Sequence, residues 1–140
     1  MRLGMVPVRR PVCIDRDATV VAAGRLMRDE QVDELVVTEP RQGKAAPAGI
    51  LSAREIVTRV LACGLDARVL TVGDLLWTRL PVVRVTDTVT ETLELLCASG
   101  SGALPMVHGD GRLAGVVSLD DVLKAFAGRD AAGAGRFPGR

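Results

Sequence analysis

The chain has 140 residues, 48% of them hydrophobic, and its 18 Lys and Arg residues nearly balance its 17 Asp and Glu residues; it can therefore bury one core or two small cores in contact, and no long-range charge would attract nucleic acid. No apolar run reaches the roughly 18 residues of a membrane span, and the charged N-terminus lacks the apolar core of a signal peptide. Cys13, Cys63 and Cys97 form no closely spaced pair, which predicts reduced thiols and a cytoplasmic protein.

The first part of the chain predicts a strand followed by a helix. After a basic lead-in over residues 1–10, the segment PVCI (11–14) is short and β-branched and suits an edge strand. Asp17 and Thr19 supply the polar side chains that begin a helix, and the apolar spacing that follows ends near Gln31.

Two strands and a second helix are expected next. Residues 34–37 predict a buried strand, and the polar Pro/Gly segment 38–49 predicts a loop longer than a tight hairpin. Ile50 and Leu51 form the following strand, and Ser52 begins a helix that ends at Gly64. The inward-facing residues of this helix are predicted to be Ile56, Val57, Val60 and Leu61.

A connector over residues 65–78 separates this unit from the rest. It contains a short helical turn and Trp77, which is either a hydrophobic clip between the two halves or an anchor for another molecule. The segment PVVRV then starts at Pro81, and Thr88 with Glu91 forms a capping box for the next helix.

The second half repeats the pattern of the first. Pro81 follows Pro11 by 70 residues, and the same offset places Cys97 at the position of Met27, which predicts a core cysteine. After the strand 103–107 and the tight turn HGDG, the offset falls to 66, as from Ser52 to Ser118. A change confined to one loop indicates a duplicated unit with a loop insertion of four residues.

We therefore predict an α/β (α+β) fold made of tandem, pseudo-twofold βαββα repeats. Repeat 1 spans residues 11–64, the connector 65–78, repeat 2 residues 79–128, and a Gly/Ala/Arg-rich tail over 129–140 is expected to be disordered. Each unit is too small to bury an adequate core alone, so the two should pack sheet against sheet with a cleft on each side.

These features resemble the tandem cystathionine-β-synthase (CBS) domain pair. The similarity rests on the junctions GILSARE (49–55) and GVVSLDD (115–121), the strand ALPMV, and the helix starts DATV and DTV. It implies a regulatory module without catalysis or a catalytic cofactor, which binds AMP, ADP, ATP or S-adenosylmethionine between its repeats. It also implies a disc-shaped homodimer that regulates an unidentified protein.

For repeat 2, the resemblance implies that Ser118 contacts phosphate or ribose and that Asp121 binds both ribose hydroxyls. Val83, Leu104 and Pro105 would surround the adenine. A second interpretation stays open, because Ser-x-x-Asp is also a capping box that satisfies only the amides of its own helix.

The corresponding residues of repeat 1 are Cys13, Leu35, Ser52 and Glu55. Glu55 is one methylene longer than the family's usual Asp, and Glu34 adds a carboxylate that could repel phosphate or favour a cationic ligand. We expect this site to be empty, weak or different in preference.

Candidate phosphate-binding side chains are Arg54, Arg84 and Lys124, each of which could equally be a solvated charge. No C-x-x-C, no pair of histidines and no G-x-S-x-G occurs, so neither a metal site nor an enzyme is expected. Two hypotheses remain: an adenosine-sensing module, or an interaction module that has lost its ligand. The Arg/Ala/Gly-rich composition is typical of a high-GC bacterium.

Overall fold

A computed structural model describes residues 1–6, 8–76 and 80–134, of which 129–134 are described by backbone alone. The predicted roles of Trp77 and the predicted disorder of residues 135–140 lie outside this part of the chain. Both halves contain a three-stranded sheet and two main helices, and together they confirm the mixed α/β fold of two βαββα units.

The first half of the chain forms one complete unit. Its elements are β1 (Cys13–Asp15), α1 (Val20–Glu30), β2 (Glu34–Arg41), β3 (Lys44–Ser52) and α2 (Ala53–Ile56), which continues as a π-helical turn (Val57–Leu61). Strand β2 is central, parallel to β1 and antiparallel to β3.

The second half has the same topology. Its elements are β4 (Val83–Arg84), α3 (Val89–Ser99), β5 (Ala103–Val107), β6 (Leu113–Ser118) and α4 (Leu119–Ala134). Strand β5 is parallel to β4 and antiparallel to β6. The tail predicted to be disordered from residue 129 is helical through Ala134, because its alanines favour helix.

The spacing between the repeats is 69 residues in their first part, one fewer than predicted. Thr19 caps α1 and Thr88 caps α3, and their numbers differ by 69 (88 − 19). The strands agree, since Val83 occupies in β4 the position that Ile14 occupies in β1 (83 − 14 = 69). The prolines of the two edge segments had suggested 70, but they are not equivalent, because Pro11 lies three residues before Ile14 and Pro81 lies two residues before Val83.

The corrected offset explains the surroundings of Cys97. Met27 is buried in α1, and its counterpart is the buried Leu96 rather than Cys97. Cys97 is exposed, so its predicted core position is wrong. One residue along a helix rotates the side chain by about 100°, which moves it off the buried face.

Residues 38–49 form a long hairpin instead of the predicted loop. Strand β2 runs to Arg41 and β3 starts at Lys44, so the connection is the two-residue turn Gln42-Gly43. Both residues have positive φ, 52° and 75°, the geometry of a tight turn that fits the strand twist. Because the offset after the hairpins is 66, repeat 1 is longer by three residues (69 − 66) rather than four.

The π-helical turn changes which residues of the second helix face inward. Val60 is buried as predicted, but Val57 and Leu61 are 53% and 63% exposed, so their predicted inward positions are wrong. The wider turn, in which the Ala62 amide donates to the Val57 carbonyl, departs from the 3.6-residue period that the prediction assumed.

Each repeat completes its core with a segment from outside its predicted boundaries. The 3₁₀ turn Leu3–Met5 and Val6 pack into the core of repeat 2, and the 3₁₀ turn Val72–Leu75 packs into the core of repeat 1. The Leu3 amide donates to the Asp87 carbonyl at 2.7 Å. The chain that follows Leu3–Met5 therefore crosses repeat 2 before β1 begins.

Candidate functional site

A cavity of about 670 Å³ lies where repeat 1 meets the segment that leads into it. One wall is the end of α1 and the start of β2 (31–36), and another is Ile50 with the start of α2 (52–54). The lead-in (9–12) and Val116 of repeat 2 complete it. The cavity is therefore an inter-repeat cleft, because both halves supply lining residues.

The structure brings some of the predicted repeat 1 residues to this cavity. Leu35 and Ser52 line it, whereas Cys13 and Glu55 are not among its lining residues. Val12 takes the place expected for Cys13. Partial burial raises the pKa of the Cys13 thiol, so this thiol stays protonated.

Glu55 is used for capping within its own helix. Its Oε1 accepts from the Ser52 amide at 3.1 Å and from Ser52 Oγ at 3.0 Å, and Ser52 Oγ accepts from the Glu55 amide at 3.1 Å. Its Oε2 accepts from Arg59 Nη1 at 2.9 Å. Both carboxylate oxygens are thus engaged, and the capping interpretation holds for repeat 1.

Asp121, the counterpart of Glu55, is placed differently. Its amide donates to Ser118 Oγ at 3.1 Å, but within the described residues its buried Oδ2 has no hydrogen-bond partner. Arg9 Nε lies 3.9 Å from Oδ2, close enough for an ion pair but too far for a hydrogen bond. A buried carboxylate oxygen without a hydrogen-bond donor lowers the stability of the fold. Asp121 Oδ2 is therefore able to accept a hydrogen bond from a bound molecule.

The residues predicted to surround the adenine in repeat 2 are buried in the structure. Val83 is only 1% exposed and packs with Leu104 inside the repeat 2 core, so Val83 is not available to cover a ring. Pro105 is also buried. With the corrected offset, the counterpart of cavity-lining Val12 is Pro81 (12 + 69). Pro81 was not among the predicted site residues.

The three predicted phosphate-binding side chains lie in different places. Arg54 lines the 670 Å³ cavity, whereas Arg84 lines a separate cavity at the other end of the sheets. Lys124 Nζ pairs with Asp120 Oδ2 at 2.9 Å on the surface, which raises the lysine pKa. Of these candidates, the structure supports Arg54 as a cleft residue.

Arg9 and Arg10 are cleft residues that the sequence reasoning missed. Arg9 is held by two backbone hydrogen bonds with Val116 of β6, each 3.2 Å long. The available signal was the pair of similar segments around Gly4 and Gly73, which are also 69 residues apart and mark where each repeat begins. The similarity of these two segments would have predicted that the lead-in is part of the folded structure.

Two features are absent from the part of the chain that the structure describes. It contains no group of three or more His, Cys, Asp or Glu side chains that could hold a metal ion. None of its helices has both the length and the apolar character needed to cross a bilayer.

The matches of this chain to a known protein family coincide with its two repeats. The CBS domain family model matches residues 3–62 and 72–128, so each match begins at one of the two 3₁₀ turns. An uncharacterized protein of Methanopyrus kandleri is 28% identical over 108 residues, which are 76% of this chain and 53% of that protein. The chain therefore spans about half the length of this curated relative.

Solved structures with the same fold cover both repeats. A CBS domain protein from Pyrobaculum aerophilum, complexed with AMP, has a TM-score of 0.75 at 24% identity, over 91% of this chain and 99% of that one. A hexameric CBS-CP12 protein from bloom-forming cyanobacteria has a TM-score of 0.71 at 23% identity, over 96% and 88%. At these identities the likeness establishes the fold.

Proposed function

This chain belongs to the CBS domain family, and on that premise we propose that it is a regulatory module that binds an adenosine-containing ligand in its inter-repeat cleft. The ligand class is AMP, ADP, ATP or S-adenosylmethionine, and the module has no catalytic activity of its own. The observation that carries the proposal is the 670 Å³ cavity, whose volume lies within the range of small-molecule sites.

The lining chemistry suits a nucleotide at repeat 1. Ile50 and Val116, which are partly exposed, offer apolar contacts to a base, while Arg10 and Arg54 offer guanidinium groups to a phosphate. We therefore place the principal site at repeat 1, although the sequence had favoured repeat 2. The AMP bound by the Pyrobaculum relative supports the ligand class.

The acidic residues of the lining should affect the binding of a nucleotide and of S-adenosylmethionine in opposite ways. Asp33 and Glu34 border the same cavity as Arg54. A nucleotide phosphate would use Arg54 and be repelled by Glu34. The cationic sulfonium and ammonium groups of S-adenosylmethionine would do the reverse.

Isothermal titration calorimetry with the four ligands tests this proposal. With a nucleotide ligand, Arg54→Gln should weaken binding by about tenfold or more, because it removes a charge-assisted hydrogen bond. Glu34→Gln should then leave affinity unchanged or raise it. Arg25→Gln on the exposed face of α1 is the matched control and should have no effect. The absence of binding by all four ligands to folded protein would overturn the proposal.

Asp121 supports a second, separately testable site in repeat 2. Its unpartnered Oδ2 could accept from ribose hydroxyls once Arg9 moves away. Asp121→Ala should remove one binding event from the titration and leave the Arg54-dependent event in place.

A homodimer is the assembly that we propose. The exposed Val57 and Leu61 are four residues apart, so they form one apolar strip that a second copy could cover. The hexameric cyanobacterial relative supports self-association within this fold. Sedimentation of Val57→Ser, Leu61→Ser protein should show monomers where the parent chain shows dimers.

The alternative function is that of an interaction module without a ligand. The engagement of both Glu55 carboxylate oxygens, one in capping and the other with Arg59, favours it for repeat 1. Mass spectrometry of molecules released from the purified, heat-denatured protein distinguishes the two functions. An adenosine compound in stoichiometric amount would rule out the alternative.

A further inference from the structure

A second cavity, of about 310 Å³, lies between the hairpin of repeat 1 and the β5–β6 turn of repeat 2. Arg41 and Lys44 reach it from the hairpin, Arg84 from the end of β4, and His108 and Asp110 from the turn. The residues of the 670 Å³ cleft are a different set, so the two cavities share no lining residue.

The one carboxylate among these lining side chains is already engaged. Asp110 Oδ2 accepts from Lys44 Nζ at 3.2 Å and from Arg112 Nε at 2.9 Å, and Oδ1 accepts from the Arg112 amide at 3.0 Å. These contacts lower the Asp110 pKa to about 2, chiefly through the backbone amide of Arg112. Asp110 is therefore ionised and neutralised by its own neighbours.

The side chains of Arg41 and Arg84 bring two guanidinium groups to this cavity. Within the described residues, neither Arg41 nor Arg84 forms a side-chain ion pair or hydrogen bond with an acidic group. In addition, Arg41 is directly opposite Lys44 in the hairpin register. Like charges in that arrangement repel each other, and a bound anion would relieve the repulsion.

This arrangement exists because the two repeats differ. The hairpin of repeat 1 is three residues longer than its counterpart, and its extension carries both Arg41 and Lys44 (69 − 66 = 3). The extension contacts repeat 2, where Lys44 forms an ion pair with Asp110. Pro47, Leu80 and Val82 add apolar residues to the lining.

We propose that this second cavity binds a small anion with two or more phosphate or carboxylate groups. Arg41 and Arg84 are the principal ligands, since their planar guanidinium groups match both kinds of oxygen anion. Lys44 and His108 line the same cavity. The site is independent of the adenosine cleft and of whether that cleft holds a ligand.

His108 makes the site directly observable, because it is the only histidine of the chain. Its imidazole signals in a ¹H–¹³C spectrum report on this cavity. We would titrate the full chain with pyrophosphate and with citrate, at constant pH and ionic strength. A saturable shift with pyrophosphate alone identifies a phosphate ligand, one with citrate alone a carboxylate ligand, and one with both the shared anion chemistry.

Variants then locate the binding. Joint Arg41→Gln and Arg84→Gln substitutions should weaken the response by about tenfold or more, whereas Arg25→Gln should change it by less than about twofold. Circular dichroism checks that each variant folds. Arg54→Gln should leave the response intact, since Arg54 belongs to the other cleft.

Three results would overturn the proposal. The first is no saturable shift of His108 with either anion. The second is an unchanged affinity in the Arg41, Arg84 double variant. The third is loss of the response in Arg54→Gln protein, which would show that His108 senses the adenosine cleft. None of these results depends on whether AMP or S-adenosylmethionine binds at repeat 1.

Discussion

The two strand-to-helix junctions follow the same backbone course but employ their acidic side chains differently. Glu55 closes a capping box with Ser52 and pairs with Arg59, so its charge is used inside repeat 1. Asp121 accepts no hydrogen bond at its buried Oδ2 within the described residues and faces Arg9 of the lead-in. A Ser-x-x-acid pattern therefore specifies a helix start in both repeats, while its remaining contacts decide what else the acid can do.

The largest effect on stability should come from the two 3₁₀ turns, Leu3–Met5 and Val72–Leu75, which complete the cores of repeat 2 and repeat 1. Leu3 is fully buried in the core of repeat 2, so Leu3→Ala should destabilise the protein by about 2–5 kcal/mol. Met5 lies two residues further on and is 74% exposed, so Met5→Ala should change stability by less than about 0.5 kcal/mol. Urea unfolding measures both, and equal effects would contradict the docking of Leu3 on repeat 2.

The second-largest effect on stability should distinguish the turn of the long hairpin in repeat 1 from the shorter connection in repeat 2. Gly43 has a φ of 75°, a conformation that costs a residue with a side chain about 1–2 kcal/mol, so Gly43→Ala should destabilise by that amount. Gly109 in the shorter connection of repeat 2 has neither a positive φ nor a close neighbour, so Gly109→Ala is the control. Thermal unfolding distinguishes them. If Gly43→Ala is neutral, the two-residue turn is not formed.

A smaller pair of effects tests the difference between the junctions directly. Glu55→Ala removes three hydrogen bonds of the carboxylate and should cost about 1 kcal/mol. Asp121→Ala removes a buried oxygen without a donor and should leave stability within about 0.5 kcal/mol of the parent, or raise it. Chemical denaturation without added ligand is the measurement, and a larger loss for Asp121→Ala would reverse the assignment.

The smallest effect concerns the ion pair that links the hairpins. The pKa of Asp110 is depressed from 3.8 to about 2 in the folded protein, so its contribution is present above the unfolded value and is lost as pH falls through the folded one. The stability difference between the parent and Asp110→Asn should therefore shrink between pH 4 and pH 2. A difference that stays constant over this window would show that Lys44 and Arg112 do not hold the carboxylate in solution.

Much of the site could be predicted from short stretches of sequence. The Ser52 and Ser118 junctions, the Thr88 capping box and the two-repeat architecture all follow from local pattern. The cavity itself could not, because Arg9 and Val116 come together only when the lead-in pairs with β6. Sequence reasoning consequently favoured repeat 2, where the acidic residue matches the family, over repeat 1, where the described cavity lies.

By itself, the sequence determined the helix starts and most of the strands, although not the hairpin over residues 38–49, because caps, turns and apolar periodicity act between residues a few positions apart. Only the tertiary structure decided the one-residue register between repeats, the exchange of Leu3–Met5 and Val72–Leu75, and the grouping of Arg9 with Arg54. These depend on contacts between residues far apart in the chain, where a shift of one position turns a side chain from the core to solvent. Cys97 and Leu96 show that difference within a single helix.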